Sequence, residues 1–134
     1  MRKLLVMVAG SVLLASYIAT NIMARPGREY ESGHINFIHW GGAKLAARVV
    51  NGAFLIARNG DWAHAESSPI IRYVHSTGDH WTAKLTPTGF ELAPNDDWGR
   101  VERKDYIDYI TWDGTRWRAK LLPNGNFLLS EFKR

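Results

Sequence analysis

Six tryptophans and two Asx-rich triplets, Asn59-Gly60-Asp61 and Asn95-Asp96-Asp97, are the residues of this chain best suited to hold a ligand. An indole face suits the apolar face of a sugar ring, and Asp and Asn side chains suit its hydroxyls. Trp62 and Trp98 directly follow the two triplets, while Trp40 and Trp112 stand at the ends of strand-like runs. The expected ligand-binding set is therefore Trp40, Trp62, Trp98 and Trp112 with Asn59, Asp61, Asn95 and Asp97. The competing roles are core packing for the indoles and simple Asx turns for the triplets. A calcium site would need more converging carboxylates than either triplet supplies.

The five histidines, His34, His39, His64, His75 and His80, would have to converge in threes or fours to bind zinc. Only His75 and His80, on either side of an expected turn, are placed to approach each other. Catalysis calls for an asymmetric cluster. The candidates are Asp61 with His64, or Asp79 with His80 and Ser76, either of which would make a small hydrolase. Neither has a glycine-flanked nucleophile, and no phosphate-cradling glycine loop occurs. The chain reads as non-catalytic, with no metal or cofactor called for.

An internal repeat must position these residues. Leu45-Ala46-Ala47-Arg48-Val49, Trp81-Thr82-Ala83-Lys84-Leu85 and Trp117-Arg118-Ala119-Lys120-Leu121 lie 36 residues apart. Phe37-Ile38, Tyr73-Val74 and Tyr109-Ile110 keep the same spacing, as do Gly42, Gly78 and Gly114. The chain tiles as 27–62, 63–98 and 99–134. Each tile alternates with period two: Ile35, Phe37 and His39 share one face, and Trp81, Ala83 and Leu85 alternate with Thr82, Lys84 and Thr86. That pattern predicts half-buried strands with the Lys/Arg face in water. Asn51-Gly52, Asp113-Gly114 and Asn124-Gly125 are hairpin turns. A third strand is expected at Phe54–Ala57, Phe90–Ala93 and Phe127–Leu129. A fourth is expected at Trp62–Glu66 and Trp98–Glu102, its missing copy coming from Arg25–Tyr30 or Glu131–Arg134.

These elements predict an all-β domain over residues 25–134. A small closed domain of three 36-residue repeats, β-trefoil-like or β-prism-like, is expected, because closure removes strand edges. An antiparallel β-barrel is the alternative. The set Trp81 and Trp117, with Leu45 in the first tile, belongs to the core.

Met1-Arg2-Lys3 followed by an uncharged apolar run from Leu4 reads as an export signal over residues 1–24, cleaved after Ala24. A signal anchor is the alternative, since residues 4–24 are long enough to span a bilayer as a helix. Either places the body outside the cytoplasm, periplasmic, on the cell surface or secreted.

The whole chain carries +4 with a pI of about 9.6. Of its 17 Lys and Arg, Arg2 and Lys3 leave with the signal, so 15 face 13 Asp and Glu. A nearly balanced body is not the footprint of a nucleic-acid binder. No cysteine is present, which removes disulfides and thiolate chemistry. The expectation is an exported binding module for glycan or another cell-envelope polymer. A membrane-anchored structural domain with a protein partner is the alternative, and the small hydrolase comes third.

Overall fold

Short runs of β-branched and aromatic residues, broken every few positions by glycine or Asx, form strands and almost nothing else. The computed structural model describes residues 29–132. The proposed export segment, residues 1–24, and the first residues of the predicted domain lie outside the described residues.

The fold is all-β, built as three four-stranded antiparallel sheets. Sheet I runs β2 (Ile35–Ile38), β3 (Lys44–Val50), β4 (Ala53–Arg58), β5 (Glu66–Ser68). Sheet II runs β6 (Ile70–Val74), β7 (His80–Thr86), β8 (Gly89–Pro94), β9 (Glu102–Lys104). Sheet III runs β10 (Tyr106–Ile110), β11 (Arg116–Leu121), β12 (Phe127–Glu131), and is completed by β1 (Glu29–Ser32) from the start of the described chain. Pro69 alone separates β5 from β6, and Asp105 alone separates β9 from β10. Gly33 and His34 join β1 to β2. Each fourth strand thus leads into the first strand of the next sheet.

The register between the first and second strands is the same in all three sheets. Ile35, Ile71 and Ile107 stand opposite Ala47, Ala83 and Ala119. Phe37, Tyr73 and Tyr109 stand opposite Leu45, Trp81 and Trp117. The first strands β2, β6 and β10 meet one another, which buries Phe37, Tyr73 and Tyr109 at the centre. Phe54 of sheet I stacks parallel to Phe90 of sheet II, ring centroids 6.2 Å apart. Each such aliphatic or aromatic side chain contributes roughly 1.5–3 kcal/mol when fully buried. The expected core set is found there, with Trp117 inside the cluster and Trp81 packed against it.

The sheets differ from the sequence reading in two places. The segments after Asp61 and Asp97 are single 3-10 turns, Trp62–His64 and Trp98–Arg100, and the fourth strands start only at Glu66 and Glu102. Asn59, Asn95 and Asp96 have positive φ, which turns the chain before a strand can continue. The second strand's other face is not simply in water: Ala46 and Thr82 are buried, because Trp40 and Trp112 reach across from neighbouring sheets. Gly89, although 36 residues before the turn residue Gly125, does not share its place in the turn. It lies in β8, where a Cβ would come within 2.5 Å of the Lys104 carbonyl oxygen. The β11–β12 connection is one residue longer than its counterparts.

β1 is anchored by side chains as well as by its ladder with β12. Asn124 and Asn126 both donate to Glu31, at 3.1 and 2.7 Å, and hold its carboxyl below the ordinary carboxylate range. Among the described residues no helix is long and apolar enough to cross a membrane.

Candidate functional site

The four candidate indoles separate into two pairs. Trp40 and Trp112 are half-buried clamps. The Trp40 indole N–H donates to the Trp81 carbonyl, and the Trp112 N–H donates to the Leu45 carbonyl, both at 2.9 Å. Trp40 also stacks on His80 at 5.3 Å, with Arg72 over its ring.

Trp62 and Trp98 lie on the two 3-10 turns. Trp62 is half-buried, with the Arg48 guanidinium 4.6 Å above its ring and His34 meeting its edge. Trp98 is 40% exposed, the most open of the indoles. Its N–H donates to Asp96 at 3.1 Å. The same carboxylate oxygen accepts from the buried Thr82 hydroxyl at 3.1 Å, and the other faces Arg72 at 3.5 Å. Asp96 therefore pins an exposed ring to a buried strand. Sequence reasoning placed Asp96 only within a turn and did not single out Arg72. The available signal was Asp96 standing where the first triplet has Gly60.

The triplets behave as turns that also place side chains. Asn59 and Asn95 take left-handed backbone, and their N–H groups donate to the Lys44 and His80 carbonyls. Asp97 accepts from the Gly99 N–H at 3.1 Å and caps its turn. Asp61 instead contacts His64, Oδ2 to Nδ1 at 2.8 Å.

That pair sits on the rim of a cleft of about 530 Å³ on the core-facing side of sheet I. Leu45, Ile56 and Ala43 form its floor. His39, Arg58, Asn59, Asp61, His64 and Glu66 form much of its rim. The cleft lies where β3 carries Leu45 in place of the tryptophan that β7 and β11 carry. A smaller cavity of about 330 Å³ lies at the corresponding end of sheet III, where Trp117 is present. Sequence reasoning noted the Leu45 substitution but did not connect it with a cleft.

The hydrolase candidates are placed as follows. Asp61 and His64 touch but stand in solvent, and no hydroxyl of the described residues bonds that imidazole. Asp79 accepts from Thr77, His80 stacks on Trp40, and Ser76 is buried. His75 stacks on Trp81 with centroids 4.5 Å apart, so it and His80 each stack on a different indole. Among the described residues no group of three His, Asp or Glu is arranged to hold a metal.

No family model, curated protein or solved structure matches the chain.

Proposed function

We propose that this chain is an exported, non-catalytic binding module that recognises a glycan or another cell-envelope polymer. Its body is three copies of one 36-residue unit closed about a pseudo-threefold axis, in the manner of a prism-like or trefoil-like domain. Residues 1–24 are its export signal or anchor.

The observation that carries the ligand reading is the attachment of Trp98 to Asp96. An exposed indole normally pays rotamer entropy when it stacks on a ligand, about 0.5–1.5 kcal/mol for an immobilised side chain. Here the N–H bond to Asp96, itself bonded to buried Thr82, holds the ring before any ligand arrives. Asp97 and Arg100 on the same turn add polar partners for hydroxyls. The equivalent turn of sheet I carries Trp62 and Asp61, with Arg48 over the indole and His64 on the carboxylate.

A glycan array and pull-down with purified cell-envelope polysaccharide test this. Binding that Trp98→Ala removes while leaving thermal unfolding unchanged supports it. Absence of binding across the array, or binding unaffected by Trp98→Ala and Trp62→Ala, overturns it.

A further inference from the structure

We propose that the cleft over Leu45 is a second binding site, for a free aromatic amino acid whose ring occupies the place an indole fills in the other two sheets. It is independent of the Trp98 loop.

The molecule contains its own template for the occupant. Positions 45, 81 and 117 are equivalent in register, each opposite the central aromatic of its first strand. In sheet II, Trp81 lies almost parallel to His75, 20° between the ring planes and 4.5 Å between centroids. His39 is the matching residue of sheet I. Its ring is fixed the same way, because the Gly41 N–H donates to His39 Nδ1 at 3.1 Å as the Thr77 N–H donates to His75 Nδ1 at 3.2 Å. Leu45 is too short to cover that imidazole as Trp81 covers His75. The result is a histidine lining a cleft with an apolar floor, ready to stack on a flat ring.

Charge on the rim specifies what the ring carries. Arg58 stands opposite Leu45 in the β3–β4 ladder, where the sister sheets have Pro94 and Glu131. Glu66 stands opposite Ile56 on the other side of the cleft. Among the described residues neither Arg58 nor Glu66 has an ion-pair partner, whereas Asp61 is engaged by His64. One unpaired guanidinium and one unpaired carboxylate complement a zwitterion: Arg58 takes the carboxylate and Glu66 the ammonium. A sugar would use the rim but would leave the His39 face and the Leu45 floor without a flat apolar partner.

Calorimetric titration of the full chain with L-tryptophan tests the site, with tryptamine, indole-3-propionate and N-acetylglucosamine oligomers as comparisons. Tryptophan binds saturably and more tightly than either single-charge analogue. Leu45→Trp, which installs the indole the sister sheets carry, abolishes the binding with the fold retained. Arg58→Gln weakens it about tenfold, a single charge-assisted contact's worth. Trp98→Ala leaves it unchanged, so loss of the glycan reading does not remove this one. No saturable tryptophan binding, equal binding of tryptamine, or undiminished binding in Leu45→Trp overturns the proposal. Should Leu45→Trp fail to fold by circular dichroism, His39→Ala and Arg58→Gln decide, and unchanged affinity in both overturns it.

Discussion

Trp40 of sheet I reaches across to the backbone carbonyl of Trp81 in sheet II, and Trp112 of sheet III makes the same bond to Leu45 in sheet I. Two of the three junctions between sheets are therefore tied by an indole N–H. At the third, Ser76 occupies the matching position of sheet II. There the closure is by backbone: the Ser76 N–H donates to the Asp108 carbonyl, and His75 bridges to Tyr109.

These bonds predict a stability effect. Trp40→Phe and Trp112→Phe each keep a ring but remove the indole N–H bond to the carbonyl across the junction, at a cost of about 1 kcal/mol. The alanine variants also lose the packing, and about 3 kcal/mol is expected. Urea unfolding followed by tryptophan fluorescence measures both. Unchanged midpoints would show that these indoles do not clamp the sheets.

Tyr73 and Trp81 face each other across sheet II, and each buries a polar atom that has no partner among the described residues, the phenol oxygen and the indole N–H. Burial pushes the Tyr73 phenol far above its usual pKa, with Asp108 and Glu102 adding to the shift. Phe37 fills the matching place in sheet I with no hydroxyl. Tyr73→Phe is therefore expected to stabilise the domain by about 1 kcal/mol, because it removes an unsatisfied buried group at nearly constant shape. Chemical denaturation of the variant checks the sign, and destabilisation would show that the hydroxyl is satisfied in solution.

Gly89 predicts a contrast with Gly78. A Cβ at Gly89 meets backbone, the Lys104 carbonyl oxygen and the Asp105 Cα, which cannot swing away as a side chain can. Gly78 has φ of +94° but open space around it. Gly89→Ala should cost about 2–3 kcal/mol through overpacking. Gly78→Ala should cost about 1 kcal/mol through backbone strain alone. Thermal unfolding of the two variants side by side measures the difference, and equal losses would mean β8 and β9 can separate at little cost.

The first three strands of each sheet were legible because one face is buried and the alternation survives. Ile71, Tyr73, Trp81, Ala83 and Leu85 show it directly. The fourth strands were legible in number but not in bounds: they were expected at Trp62–Glu66 and Trp98–Glu102, whereas Glu66-Ser67-Ser68 and Glu102-Arg103-Lys104 are edge segments largely in water and carry no apolar period to mark where they begin. For the same reason the missing third copy was assigned to one terminus or the other, Arg25–Tyr30 or Glu131–Arg134, and the ladder with β12 shows the strand to be Glu29–Ser32. At the candidate sites, residue type pointed to Trp98 and Asp97, but Asp96 became the anchor through its left-handed backbone and its distance to Thr82. Leu45 was visible as a break in the tryptophan pattern. The cleft depends in addition on where the third dimension puts His39 and Arg58, and no spacing rule encodes that.

Stability should also fall with mild acid, and the histidines identify the window. Burial holds both His39 and His75 below the ordinary imidazole pKa. At His39 the nearby cations Arg72, Arg58 and His80 act in the same direction. At His75 Asp108, Asp79 and Glu102 oppose it without reversing it. The unfolded chain, with imidazoles near about pH 6.5, then binds protons that the native state refuses. Their contribution is complete above that value and is lost as pH falls toward the depressed native values. Glu31, whose carboxyl is lowered, loses its contribution only in the more acidic carboxylate range. The urea midpoint should therefore drop between about pH 7.5 and 5.5. In a His39→Asn, His75→Asn variant the drop should shrink, because Asn does not titrate yet can still accept the N–H two residues on. A slope unchanged in the double variant would assign the acid sensitivity to other groups.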